Sequence, residues 1–312
     1  MGGAANVKRV PARQLAAVDW VNEPLRRLLD HINEADALNR VYSTGVLRLT
    51  TAGARAELLR DEIAPLLGES LDWATDPKVV AGEKSLERLA RCEKENDFRL
   101  LHALFLISLW GVMETVVDDF VVGWIARRPE DLAVALDKPI RLPPASVLRS
   151  NARARAEAVF EGLRRASDRP AGTGTARFEN SLGLVGLSGP VPPLIADVLY
   201  EMHRIRNVYA HCAGVADTRF LEDCSWFDIK VGQPVPITGL ALRGYQSIAA
   251  VFGVMIQRRA YARLGIRVLA DGNYWDPTVQ VGDYGDDFDE RIARVPPCVG
   301  SLPVLSRRTS LS

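Results

Sequence analysis

Apolar residues recur at three- and four-residue spacing through most of this chain, and the runs they form predict helices separated by short breaks. Residues 15–32 carry Val18, Val21, Leu25, Leu28 and Leu29 in that pattern. Pro24 predicts either a kink there or a fresh helix with the proline in its first turn. Residues 41–50 are rich in β-branched side chains and read as a strand or an extended connector. A helix over 51–67 and a loop over 71–83 follow, then a short helical pattern over 85–93. Residues 97–127 form the longest predicted helix, closed where Arg127-Arg128 meets Pro129.

Beyond it, 137–144 is proline-punctuated loop and 145–166 an Arg/Ala-rich helix. The Gly- and Pro-dense stretch 168–191 (G-T-G-T, L-S-G-P) reads as turn or loop. Pro192-Pro193 open a helix that runs to about Cys212, with Gly214 as its stop. One short strand (WFDIKV) is expected within 224–236, and a last long helix over 238–264. After Asp271 the sequence is irregular. The sum is an all-α protein: a helical bundle over 85–268, an N-terminal helical extension over 1–84 and an irregular C-terminal tail over 269–312.

Charge narrows the function classes. The 39 basic and 39 acidic residues cancel, so a nucleic-acid partner needs a local basic patch rather than a global field. Four cysteines lie far apart without a C-x-x-C pair, which supports neither a disulfide framework nor a zinc ribbon. No metal site and no cofactor are expected. The N-terminus lacks the apolar core of a signal peptide, and Asn6 stands where myristoylation wants Ser or Thr. The apolar run 100–125 is interrupted by Glu114, Asp118 and Asp119, which argues for a bundle core rather than a membrane span. A cytoplasmic location is the expectation.

The candidate chemistry lies in LIADVLYEMHRIRNVYAHC, residues 194–212. Ile195, Val198, Leu199, Met202, Ile205, Tyr209 and Cys212 form an apolar stripe, and His203, Asn207 and His211 follow one another along a neighbouring face, with Arg206 on its edge. Arg206-Asn207-Val208-Tyr209-Ala210-His211 resembles the R-x4-His motif of the HEPN superfamily, in the form with a polar residue straight after the Arg. The run LWGVMETVVDDFV, with Glu114, resembles that family's long helix in bacterial defence and toxin–antitoxin proteins. The likeness spans about residues 90–265.

The resemblance implies an up-and-down HEPN-like bundle and a metal-independent endoribonuclease, acting in phage defence or as a toxin. RNA carries its own nucleophile, the 2′-hydroxyl. Imidazole, with an ordinary pKa of about 6.5, can remove that proton or protonate the leaving 5′-oxygen. A guanidinium stabilises the charge that builds on the phosphorus. His211 is thus assigned as acid/base, Arg206 as phosphate clamp and Asn207 as positioning group, with Glu114 and His203 in support. The products would be a 2′,3′-cyclic phosphate and a 5′-hydroxyl. Residues five apart on a helix point about 140° apart at roughly 100° per residue. The resemblance resolves this with a homodimer whose composite site joins two motif helices. RNA is the expected substrate, and a protein antitoxin or regulator a further partner. Ala213 stands where one toxin branch carries a modifiable Tyr, which argues against regulation by that route.

Each residue also has a structural reading. His211 could serve the helix C-terminus, Arg206 could pair with Glu201 or Glu114, and Asp118 and Asp119 could face solvent. The competing reading of the whole is a HEPN-like interaction or regulatory module without catalysis.

Overall fold

The computed structural model describes residues 19–67, 76–132, 151–166, 172–266 and 302–303. The described residues are helical with no strand; a lone antiparallel bridge joins Val215 and Pro234. The all-α expectation holds.

Four helices make the core: α1 (Asp19–Leu49), α4 (Arg99–Arg127), α7 (Pro193–His211) and α9 (Gly239–Arg263). Around them lie α2 (Ala52–Leu58), α3 (Pro77–Glu95), α5 (Ala152–Ala166), α6 (Thr175–Gly183) and the short α8 (Thr218–Asp223). α4 is central and packs on α1, α5, α6, α7 and α9. Its sequence explains this: from His102 to Val117 the buried positions follow one stripe, and from Asp119 to Ile125 every residue is buried, so the last turns are enclosed on all sides.

Contacts between staves give their directions. Trp20 meets Trp124 edge-on at 5.6 Å and Tyr42 meets Phe98 at 6.5 Å, so α1 and α4 are antiparallel. His102 Nδ1 lies 3.1 Å from the Ile237 carbonyl at one end, and the Arg263 guanidinium covers Trp124 at 5.7 Å at the other, so α9 runs parallel to α4. Trp110 stacks on His203 and Glu201 meets Tyr245, which sets α7 between α4 and α9. Val21, Leu25 and Leu28 of α1 belong to the same hydrophobic core as α4, α7 and α9. The core therefore runs across the expected boundary at residues 84 and 85.

Four local expectations are corrected. Residues 41–49 continue α1, which also contains Pro24, instead of forming a strand or connector. Val46 is buried there, and the Arg91 guanidinium of α3 binds the Thr50 carbonyl at 3.3 Å. Packing outweighs the modest helix penalty of β-branched residues. Residues 77–83 are the start of α3 and not loop: Asp76 caps the helix by accepting from the Lys78 amide at 2.8 Å, with Pro77 next in line.

Within the Gly-rich stretch, Thr175–Gly183 is helical because Phe178 and Leu182, one turn apart, are buried against the core. The WFDIKV segment is irregular rather than a strand. The expected loop at 137–144, the first turns of the 145–166 helix and nearly all of the tail lie outside the described residues.

α4 and α9 are each long and apolar enough to cross a membrane by length and composition. In the bundle both are core staves, and α4 carries a paired acid mid-way. Asp119, expected at the surface, is buried and held by Arg27 Nη1 at 2.6 Å and by Arg153.

Candidate functional site

α7 presents its apolar stripe as expected: Ile195, Val198, Leu199, Met202 and Ile205 are fully buried, and Tyr209 and Cys212 pack against the core. The helix ends sharply. Ala213 and Gly214 take positive φ angles of 52° and 77°, and the Gly214 amide turns back to the Val208 carbonyl at 3.2 Å. A Cβ on Gly214 would lie 2.4 Å from the Tyr209 ring, so only glycine fits. The Tyr209 hydroxyl donates to the Val235 carbonyl at 2.5 Å, pinning this end of α7 to the chain that enters α9. His211 is thereby held in the last turn, exposed, with no hydrogen-bond partner among the described residues.

Arg206 and Asn207 are half-buried one turn earlier. Arg206 Nη1 donates to Asn207 Oδ1 at 3.0 Å. The Asn207 amide nitrogen lies 3.2 Å from His203 Nε2, and the Gly174 amide faces His203 Nδ1 at 3.4 Å. The buried His203 ring stacks on Trp110 with centroids 5.1 Å apart and planes at 25°. Burial above all, then the Arg177, Arg204 and Arg206 guanidinia, push its pKa down to about 4, against a small opposing pull from Glu114. His203 is neutral near pH 7 and acts as a hydrogen-bonding neighbour, not as an acid.

Glu114 does not meet Arg206. Its Oε1 accepts from the Trp110 indole nitrogen at 2.9 Å and pairs with Arg177 Nε at 2.8 Å. Glu201, the other partner considered for Arg206, is fully buried and accepts from Trp226 Nε1 at 2.5 Å and Tyr245 Oη at 2.6 Å. Arg204, buried two residues before Arg206, pairs with Asp223. Among the described residues Arg206 has no carboxylate partner. Its neighbours Arg177 and Arg204 are both neutralised.

The structure thus gathers His203, Asn207 and Arg206 into one hydrogen-bonded chain and leaves His211 outside it. α7 is unbroken from Pro193 to His211, so Arg206 and His211 of one chain point about 140° apart. Sequence reasoning missed Arg177, Trp110 and Gly174. Trp110 had a legible signal, since it sits one turn before Glu114 on the same face of α4. Arg177 had none, because its approach to Glu114 depends on how α6 docks.

One turn after Glu114, Asp118 is half-buried, and burial raises its carboxyl to about pKa 6, with Arg164 and Arg177 opposing and Glu114 and Asp119 adding to the rise. It does not face open solvent as expected. Among the described residues no group of three or more His, Cys, Asp or Glu could hold a metal ion.

No family model, curated protein or solved structure matches the chain.

Proposed function

We propose that the protein is a metal-independent endoribonuclease of HEPN type. Arg206 clamps the scissile phosphate, His211 acts as acid/base and Asn207 orients the clamp. The observation that carries this reading is Arg206 itself. It is a half-buried guanidinium at the mouth of a polar chain, tethered among the described residues only through an amide oxygen, while nearby guanidinia are tied to acids. A charge without a counter-ion among the described residues is available for a phosphate. His211, exposed in the last turn of the same helix, is available to a 2′-hydroxyl or a leaving oxygen. Because the two groups diverge within one chain, the working site is composite: two copies of the chain place their α7 ends side by side. A cytoplasmic role in phage defence or as a toxin, held in check by a protein regulator, goes with this reading.

The second reading, an interaction module without catalysis, is favoured by the same pairing pattern. Neutral overall charge and acid-paired neighbours leave few free cations around α7 for RNA phosphates. Incubating the purified full-length protein with RNA in EDTA separates the two. Fragments ending in 2′,3′-cyclic phosphate and 5′-hydroxyl are expected, and both Arg206→Ala and His211→Ala abolish them. Cleavage that persists in both variants, or that requires added metal, sinks the nuclease reading.

A further inference from the structure

We infer that His203 is a positioning residue: as the neutral Nδ1–H tautomer it aims Arg206 through the Asn207 amide. This rests on the ribonuclease reading for its consequence in RNA cleavage, whereas the positioning itself does not.

A guanidinium has donors only, so the Asn207 atom that meets Arg206 Nη1 at 3.0 Å is the amide oxygen. The amide NH2 is then turned towards His203 Nε2 at 3.2 Å, and that nitrogen must accept. A neutral imidazole accepts at one nitrogen, which puts its proton on Nδ1. Yet the buried Gly174 amide points at Nδ1 from 3.4 Å as a second donor. Two donors face a ring that can satisfy one of them. The Gly174 contact and the Arg206–Asn207 contact therefore exclude each other.

In the opposite tautomer Nε2–H seeks the Asn207 oxygen. The amide turns over, its NH2 confronts the guanidinium and Arg206 loses its tether. A protonated ring does the same. The surroundings work against protonation: Arg177 approaches from α6, Arg204 and Arg206 lie on α7 itself, and only Glu114, from α4, favours the charge. The plane of the ring is also fixed. Trp110 stacks on it, and the Trp110 N–H is held by Glu114, which Arg177 holds in turn. Gly174 has φ +56°, and a Cβ there would lie 3.0 Å from the Tyr200 backbone, so the close approach of its amide to the ring calls for glycine.

Long-range 1H–15N correlation spectra of the full-length protein read the tautomer directly. At pH 7 His203 is expected with a bare Nε2 and a protonated Nδ1; in Asn207→Leu the proton moves to Nε2 as Gly174 takes over Nδ1. A proton on Nε2 in the wild type, or the same tautomer in both proteins, overturns the inference. In RNA cleavage, His203→Leu lowers kcat about tenfold or more, while KM stays within about twofold. His203→Gln, which restores an acceptor for Asn207, recovers most of kcat; equal losses in the two variants overturn the positioning role. If the expected tautomer is found in a wild-type protein that cuts no RNA, the positioning stands and the ribonuclease reading falls.

Discussion

Arg177 Nε lies 2.8 Å from Glu114 Oε1, whereas Arg206 has no carboxylate partner among the described residues and donates to Asn207 Oδ1 instead. Neither Arg206 nor His211 joins an ion pair among the described residues, so neither side chain is expected to carry the fold. Arg206→Ala and His211→Ala are each expected to change the unfolding free energy by less than about 1 kcal/mol, as a lone exposed or half-exposed hydrogen bond dictates. Urea titration followed by circular dichroism checks this. A larger loss in either variant means that the side chain belongs to the scaffold, and any loss of RNA cleavage could then be structural.

Glu201 behaves oppositely. Its carboxylate is fully buried and receives the Trp226 indole N–H and the Tyr245 hydroxyl, tying α7 to α9 and to the segment after α8. Glu201→Ala takes the acceptor from one buried and one half-buried donor and costs about 2–3 kcal/mol. The urea midpoint falls, and the emission of Trp226 changes as its indole loses its partner. A variant of wild-type stability contradicts the role assigned to this tether.

Asp119 is gripped by Arg27 from α1 and Arg153 from α5, both of them half-exposed. Removing the acid strands no buried cation, because the two arginines can turn to water. Asp119→Ala is thus expected to cost about 1–2 kcal/mol, less than breaking a fully buried pair. The cost shrinks in high salt. Thermal unfolding at two ionic strengths measures both effects.

Two groups tilt the pH dependence of stability in opposite directions. Asp118 titrates at about 6 in the fold, above its ordinary 3.8, so the folded protein holds more protons there than the unfolded chain. Its ionisation destabilises the fold progressively as pH rises from about 4 through 6. Asp118→Asn is expected to stabilise the protein by about 1–3 kcal/mol at pH 7.5, with the gain vanishing near pH 4.

His203 is held at about 4, below its ordinary 6.5, so the unfolded chain takes up the proton first. Stability is lost on this account as pH falls from about 6.5 to 4. In the wild type the two slopes partly cancel. Asp118→Asn exposes the His203 limb and becomes more acid-sensitive; His203→Gln does the reverse. Melting temperatures across pH 4–7.5 for the three proteins show whether the slopes separate in this way.

The long helices were legible because their information is local. Arg99–Arg127, Pro193–His211 and Gly239–Arg263 each carry an unbroken helical pattern, a proline, a threonine or an arginine pair at an end, and glycine just beyond the last two. The Asp76-Pro77 start of α3 is equally local, an N-cap followed by proline, although the polar, Gly-containing residues up to 83 point to a loop. The turn of Val41–Leu49 and the helix at Thr175–Gly183 were not legible in the same way. Their own propensities point elsewhere, and only the burial of Val46, Phe178 and Leu182 against distant helices decides for the helix.

By itself the sequence determined that the chain folds as helices around one apolar central helix, and that Arg206, Asn207 and His211 lie near the end of another. Spacing along a helix fixes which face a residue occupies, and that needs no knowledge of the rest. The tertiary structure alone decided who meets whom: Arg177 rather than Arg206 at Glu114, Trp110 against the His203 ring, the Gly174 amide at its Nδ1, Arg27 and Arg153 around Asp119. Partners and proton positions depend on how separate helices dock, and docking is set by the fit of whole faces, which no single stretch of sequence contains.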